Sequence, residues 1–211
     1  KRIKAFLDAI PEAYKALYFR LNEQVKPPEN VGFEINKLIN HQLFLQPDYE
    51  ELTDKFGRDL FLELEEAEKI RLFPSNQIKP EKIADFYRQH GPVSREREAN
   101  YHAIQRIMWN AMHRGWGSAS GVTDKDRNLL AVNFFIYSHG KVLSFCPAES
   151  PEGKKRGAMA YLFNMALRSH AGRPMILDFN GQTPELAKAM GAQENFYYEI
   201  RKAGFLSRLG M

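Results

Sequence analysis

The sequence predicts an α/β (α+β) fold: a mixed, mostly antiparallel sheet with helices on its faces. Three observations carry that reading. Residues 129–137 (LLAVNFFIY) and 142–146 are apolar runs joined by the short turn His139-Gly140, the signature of a β-hairpin. A helical stretch to about His170 follows, stopped by Gly172 and Pro174, and leads into a third apolar run at 175–179 (MILDF). A strand, helix, strand step of this length is a parallel crossover. Upstream, apolar residues recur at helical spacing in two long stretches, and those helices must cover the sheet.

Taken in order, residues 3–10 read as a short helix stopped at Pro11, and 16–21 (ALYFRL) alternate as a strand. Residues 26–30 (KPPEN) form a loop. Residues 35–45 carry Leu38, Ile39, Leu43 and Phe44 and are expected to form a second strand paired with the first. Pro47-Asp48 opens a long helix: Asp48 can cap it and Glu51 lies three residues on, as in a capping box. Tyr49, Leu52, Phe56, Leu60, Leu64 and Ala67 then follow at helical spacing and form one packed stripe. Glu50, Asp54, Glu65, Glu66 and Glu68 make its far face, which reads as solvated. A short strand is expected at 70–73, a helix from Pro80 through Tyr87, and another from Ser94 that carries Ala99, Ala103, Ile107 and Ala111. Residues 116–122 read as a glycine-interrupted strand and 124–128 as a polar turn into the hairpin.

Bulk properties narrow the function classes. A net charge of +4 in 211 residues permits an anionic ligand without demanding nucleic acid. The single cysteine, Cys146, excludes an internal disulfide and a Cys-based zinc site, and fits a reducing, cytoplasmic setting. It ends an apolar run, where a free cysteine packs as a small hydrophobe. No apolar run approaches the roughly 20 residues of a membrane span. No pair of the six histidines has HExxH spacing, so no metal is expected. The first residue is Lys1, already in a helical pattern, which predicts a piece of a longer protein.

Two local patterns bear on chemistry. The stretch 115–121 (GWGSASG) is spaced GxGxxxG and follows a helix, whereas a dinucleotide loop follows a strand; a helix C-cap and bulged strand accounts for it. Lys154, Lys155 and Arg156 precede Gly157 and Ala158 where a helix begins. Free N–H groups of a first turn, the helix dipole and cations all favour an anion such as phosphate. Asp178 and Asn180 end the strand after that helix, where ligands sit in open α/β sheets. Asp178 can act as a base or brace the Gly181 loop, and the sequence leaves both open.

With these residues in place, the segment 116–202 resembles the C-terminal half of GNAT-like acyl-CoA N-acyltransferases, and within them the FemABX-like, double-GNAT proteins and their bacterial relatives. The resemblance rests on Glu152-Gly153-Lys154-Lys155-Arg156-Gly157-Ala158-Met159, then Leu177-Asp178-Phe179-Asn180-Gly181, Leu186-Ala187, Met190-Gly191-Ala192 and Tyr197-Tyr198-Glu199-Ile200. The stretch 48–69 resembles the helix that opens this second unit. The likeness implies a GNAT-like domain at 47–211, with 1–46 as the remnant of a preceding half. It also implies a V-shaped sheet. The splayed strand, with Phe145, Cys146 and Ala148, would bind the pantetheine arm of acyl-CoA. The turn of Lys154, Lys155, Arg156, Gly157 and Ala158 would hold the diphosphate, with Asn180 beside the cofactor and Glu149 and Asp178 as candidate catalytic carboxylates. The activity implied is transfer of an acyl group from acyl-CoA, acetyl-CoA for instance, to a small-molecule or peptide amine by direct attack, with no protein nucleophile and no metal. Met159 stands where the family's turn carries a small residue. An aminoacyl-tRNA-dependent transferase acting on a cell-wall precursor is the alternative, although Glu63-Leu64-Glu65-Glu66-Ala67 replaces a basic stretch of relatives. A non-catalytic GNAT-like binding module is the third reading.

Overall fold

A computed structural model describes residues 2–11, 13–14, 17–23, 25–27, 33–92 and 100–202. The chain divides into two compact units, one formed by residues 41–193 and one by residues 1–40 with 194–211.

The larger unit holds the expected mixed sheet. Its strands run in the order β2 (Glu34–Phe44, through its last four residues), β8 (Ile176–Asp178), β6 (Lys141–Ser144), β5 (Leu129–Ser138), β4 (Gly117–Thr123) and β3 (Phe73–Ser75), with β7 (Ala148–Glu149) also on β5. β3 to β6 form an antiparallel meander. β6 and β8 are parallel, as the crossover predicts. The hairpin turn is tight because His139 and Gly140 both take positive φ, at 50° and 72°.

The crossover contains α6 (Pro151–Lys155) and α7 (Ala158–His170). Ala158, Met159, Ala160, Leu162, Phe163 and Leu167 of α7 are buried against one face of the sheet. Phe163 lies at the centre, edge-on to Phe135 at 5.8 Å and stacked on Phe179 at 5.2 Å. α3 (Arg58–Lys69) packs on the same cluster through Leu60, Leu64 and Ala67. The opposite face is covered by α4 (Pro80–His90) and α5 (Tyr101–His113), whose Ile83, Phe86, Met108 and Ala111 meet Val132 and Phe134.

The glycine-rich stretch is a packing feature. Gly115 follows the α5 C-cap at φ 69°, and β4 then carries glycine where side chains press on it. A Cβ on Gly117 would lie 2.5 Å from the Phe134 ring, and one on Gly121 would overlap Ile78. The ladder irregularity falls at Val122 and Thr123.

Several element boundaries differ from expectation. The helix expected over 48–69 is two helices, α2 (Tyr49–Thr53) and α3, parted at Gly57. The Gly57 N–H leaves the helical ladder for the Ala189 carbonyl at 2.8 Å, at the end of α8 (Pro184–Ala189). Asp48 caps α2 by accepting the Glu51 N–H, as predicted. The short strand forms at Phe73–Ser75 because residues through Lys69 stay helical. The residues 94–99 that were to begin the helix before Tyr101 lie outside the described residues.

In the smaller unit, α1 (Arg2–Asp8) and β1 (Leu17–Arg20) occupy the expected places. β1 pairs with β9 (Gln193–Lys202), and β9 lies between β1 and β2. The expected direct pairing of the first two strands is thus replaced by insertion of the last one. Hydrophobic alternation specifies which face of a strand is covered and leaves the partner open.

Phe163 tests the packing of the larger unit. Phe163→Ala removes a fully buried ring that contacts two others. It is expected to cost about 3–5 kcal/mol, measured by chemical denaturation followed by far-UV circular dichroism.

Candidate active site

The site begins with one extra residue. β6 pairs with β5 up to Phe135↔Ser144, and β7 resumes pairing at Val132↔Ala148. Between these pairs β5 advances from 132 to 135, three steps, while the partner strand advances from 144 to 148, four steps. The surplus is a β-bulge at 145–147, and Pro147 at its end brings no N–H to leave unpaired. Asn133, fully buried within an otherwise apolar strand, ties the bulge down. Its Nδ2 donates to Ser144 Oγ at 3.0 Å and its Oδ1 accepts the Cys146 N–H at 3.2 Å.

The bulge splits the sheet. β8 pairs with β6 only as far as Leu143↔Asp178, and β7 continues on β5 alone. The splay is the V shape implied by the resemblance. A cleft of about 380 Å³ opens at this end, lined by Ala148, Glu149, Met159, Gln182 and Thr183 among others.

Glu149 enters the cleft half-buried. Its Oε1 accepts the Met159 N–H at 2.7 Å, in the first turn of α7, and its Oε2 has no hydrogen-bond partner among the described residues. Burial raises the Glu149 pKa; the Met159 N–H opposes this, the Glu63 charge adds to it and Lys154 opposes it. The Ser150 N–H bonds the Leu130 carbonyl, so the preceding Glu149 N–H points away from β5 by the alternation of an antiparallel ladder.

The cationic turn has an occupant from the chain itself. Gly157 takes φ 63° and precedes α7. A Cβ on it would lie 2.6 Å from Glu63 Cγ and 2.9 Å from Glu63 Oε1, so the α3 side chain rests on the glycine. Glu63 keeps an exposed outer side, yet partial burial raises its pKa. Around it, Glu66, Lys154, Lys155 and Arg156 line an open hollow of about 700 Å³. Arg156 pairs with Glu152 at 2.7 Å and Lys155 approaches the same carboxylate at 3.8 Å. Gly153 is required for a different reason: its Cα approaches the Leu130 carbonyl too closely for any side chain.

On the other arm of the cleft, Asp178 is buried and engaged through both oxygens. Oδ2 accepts from Gln42 at 2.7 Å and from Lys141 at 3.1 Å, and Oδ1 accepts the Asn180 N–H at 2.8 Å. The loop beyond is tightly wound, with positive φ at Asn180 (55°), Gly181 (68°) and Thr183 (45°). A β-branched residue in this region is strained by about 1–3 kcal/mol, a cost concentrated at functional sites. Gln182 Nε2 reaches across to the Phe145 carbonyl in the bulge at 3.1 Å. Gln182 Oε1 and Thr183 Oγ1 are shielded from solvent with no hydrogen-bond partner among the described residues.

The sequence-predicted residues therefore fall in two neighbouring places. Phe145, Cys146, Ala148, Glu149, Asp178 and Asn180 belong to the two arms of the split. Lys154, Lys155, Arg156, Gly157 and Ala158 form the turn, with the Ala158 side chain buried in the core. Cys146 is buried and its thiol pKa is pushed far up by desolvation, as a packing residue requires. Asn133, Gln182 and Thr183 were not singled out from the sequence. A polar asparagine inside the apolar run LLAVNFFIY is a signal that could have found the first; the other two follow Asp178-Phe179-Asn180-Gly181 without a pattern of their own.

Comparison with protein-family models gives no match, and comparison with curated protein sequences gives none either. Solved structures do match. A conserved protein of unknown function from Staphylococcus epidermidis ATCC 12228 superposes with TM-score 0.60 at 12% identity, over 90% of this chain and 73% of that one. FemX matches with TM-score 0.60 at 11% identity over 78% of this chain, which spans 61% of the length of FemX. A GCN5-related N-acetyltransferase from Kribbella flavida matches with TM-score 0.53 at 11% identity, over 94% and 74% of the two chains. The chain has a GNAT-like fold, near that of FemX.

Asn133→Leu tests the bulge. It keeps the side-chain volume near that of the wild type and leaves the Cys146 N–H and Ser144 hydroxyl unpaired in the core. A loss of about 2–4 kcal/mol is expected for two buried orphans, together with faster hydrogen exchange at the 145–149 amides. Unchanged exchange there shows that the bulge holds without Asn133.

Proposed function

We propose that the chain is a GNAT-fold N-acyltransferase that moves an acyl group from acyl-CoA to an amine of a small molecule or peptide. The observation that carries this reading is the split at the bulge. It leaves the half-buried Glu149 carboxylate and the outward-pointing Glu149 N–H side by side in one cleft.

On this reading the thioester lies along the Phe145, Cys146 and Ala148 arm. The amine attacks the carbonyl carbon, the new C–N bond forms, and the oxyanion is met by the Glu149 N–H. The Glu149 carboxylate takes the ammonium proton through Oε2. The C–S bond then breaks, and the leaving sulfur is protonated from solvent. A base with a raised pKa suits this task, because transfer works best when the base pKa approaches the working pH. The remaining acceleration comes from positioning, so no nucleophile is needed, and the buried Cys146 is outside the chemistry. Asp178 serves as a positioning residue that holds the Asn180–Thr183 loop against the bulge. The unpartnered Gln182 and Thr183 oxygens supply polar contacts for a ligand in the cleft.

Aminoacyl-tRNA as donor is the second reading. Glu63 sits over Gly157, where CoA would place its diphosphate, and the acidic stretch it belongs to opposes tRNA phosphates as well, so this reading ranks behind acyl-CoA.

The direct test is thiol release from acetyl-CoA and longer acyl-CoAs across a panel of primary amines. Amine-dependent release supports acyl-CoA use; absence of both release and calorimetric binding overturns it. Glu149→Gln keeps an oxygen for the Met159 N–H and removes the charge. It should lower kcat/KM by about 10²–10⁴-fold. Its effect on stability has the opposite direction. A raised folded-state pKa means that Glu149 favours the fold when protonated, and this contribution is lost as pH rises through the folded pKa. Glu149→Gln should therefore melt at or above the wild-type temperature at pH 7.5, with the difference closing toward pH 4.

A further inference from the structure

The cationic turn before α7 is already counterbalanced by carboxylates. Glu149 holds the Met159 N–H, Glu152 holds Arg156, and Glu63 covers Gly157. Lys154 lines the hollow and makes no ion pair among the described residues. Glu63 differs from the other two carboxylates. No hydrogen bond or ion pair holds its head among the described residues, and its stem rests on a glycine Cα on the hollow's floor. It is an anion parked on the turn and able to swing out into the exposed hollow.

We propose that Glu63 is the donor-selecting residue of this protein: its carboxylate stands over Gly157 in the space an incoming diphosphate would take, so a phosphate-bearing donor must displace it. The proposal rests on the acyl-CoA reading above and adds a residue of α3 to the control of that site. Two effects oppose the donor. The side chain fills the floor above the glycine, and its charge repels phosphate near Glu66 and Glu149, with Lys154, which makes no ion pair among the described residues, to offset them. Such like-charge juxtaposition selects against a ligand as effectively as a clash.

Displacement is also linked to protons. The charged groups that share the hollow with Glu63 are Lys154 and Lys155 from α6, Arg156 from the turn and Glu66 from α3 itself, and the charge of Glu149 from β7 also acts on it. Partial burial raises the Glu63 pKa, so lowering the pH discharges Glu63 ahead of an ordinary glutamate. A neutral Glu63 no longer repels phosphate. Affinity for a diphosphate donor should therefore rise as pH falls.

The experiment is calorimetric titration of the whole chain with acetyl-CoA and with S-acetylpantetheine, which lacks phosphates, on wild type, Glu63→Gln and Glu63→Ala, at pH 5 and 8. Melting temperatures of the variants verify that both fold; the exposed side chain makes no bond whose loss would prevent it. Acetyl-CoA is expected to bind Glu63→Ala at least about tenfold more tightly than wild type at pH 8, a difference of one decade in Kd. S-acetylpantetheine should bind all three forms alike. The wild-type pH dependence should exceed that of Glu63→Gln, in which only the ligand phosphate and the remaining protein groups titrate. Equal acetyl-CoA affinity in all forms, with the same pH dependence, overturns donor selection by Glu63 and leaves the acyl-CoA reading standing. Acetyl-CoA bound by no form, Glu63→Ala included, overturns both.

Discussion

Every feature of the candidate site depends on a single unmatched residue between two strands and the amide that compensates for it. A strand that stayed in register with β5 would also have stayed in register with β8, and the sheet would close. The bulge turns β7 away, so that among the described strands β7 pairs with β5 and not with β8. Such a bulge deprives the ladder of bonds that must be recovered inside the core. Asn133 recovers one by accepting the Cys146 N–H and anchors its own amide nitrogen on the Ser144 hydroxyl, which no apolar residue can do. The Gln182 side chain does the same for the Phe145 carbonyl from the other arm, so the two arms are linked at their point of divergence. Opening and anchoring thus come from the same few residues.

The second theme is competition for the start of α7. Its free N–H groups and the adjacent cations attract negative charge, and three carboxylates from three elements supply it. In the absence of ligand this neutralises the turn at little conformational cost. It also means that an incoming anion gains only the difference between its own interaction and that of the carboxylate it replaces. Glu149 is the least displaceable of the three, because its backbone is a strand residue and its Oε1 is directed at Met159. Glu63 lies on a helix surface and has rotamers to spare.

How far the sequence reveals this follows from the range of each interaction. The hairpin, the crossover and the cationic turn are local, and periodicity with turn residues is enough to place them. The break of the 48–69 helix at Gly57 is invisible locally, because its cause is the Ala189 carbonyl, more than a hundred residues away. The insertion of β9 between β1 and β2 is hidden for the same reason. Glu63 illustrates the limit within a site. The sequence places it in an acidic stretch, where the natural reading is a solvated face. Only the packing of α3 on α7 brings that one carboxylate onto Gly157, while Glu65 stays exposed and Glu68 pairs with Arg168 further along α7. The open choice over Asp178 is narrowed by the same kind of long-range fact: Gln42 and Lys141, which engage it, come from strands distant in sequence.

Asp178 and Glu149 are thus two carboxylates whose surroundings suit them to different tasks. Asp178 has both oxygens filled by donors, one a lysine ammonium, and losing one partner of a buried pair leaves the other uncompensated. A group with both oxygens already engaged is held in place, and it is well suited to fixing a loop with three positive-φ residues. Glu149 has one oxygen fixed and the other without a partner among the described residues, and desolvation makes its charged form costly. Fixing one oxygen sets the direction of the other without using it. A proton arriving at the second oxygen relieves the desolvation while the Met159 hydrogen bond can persist. Burial therefore makes proton acceptance easier here than on a solvated glutamate, and the arm that carries the side chain need not move.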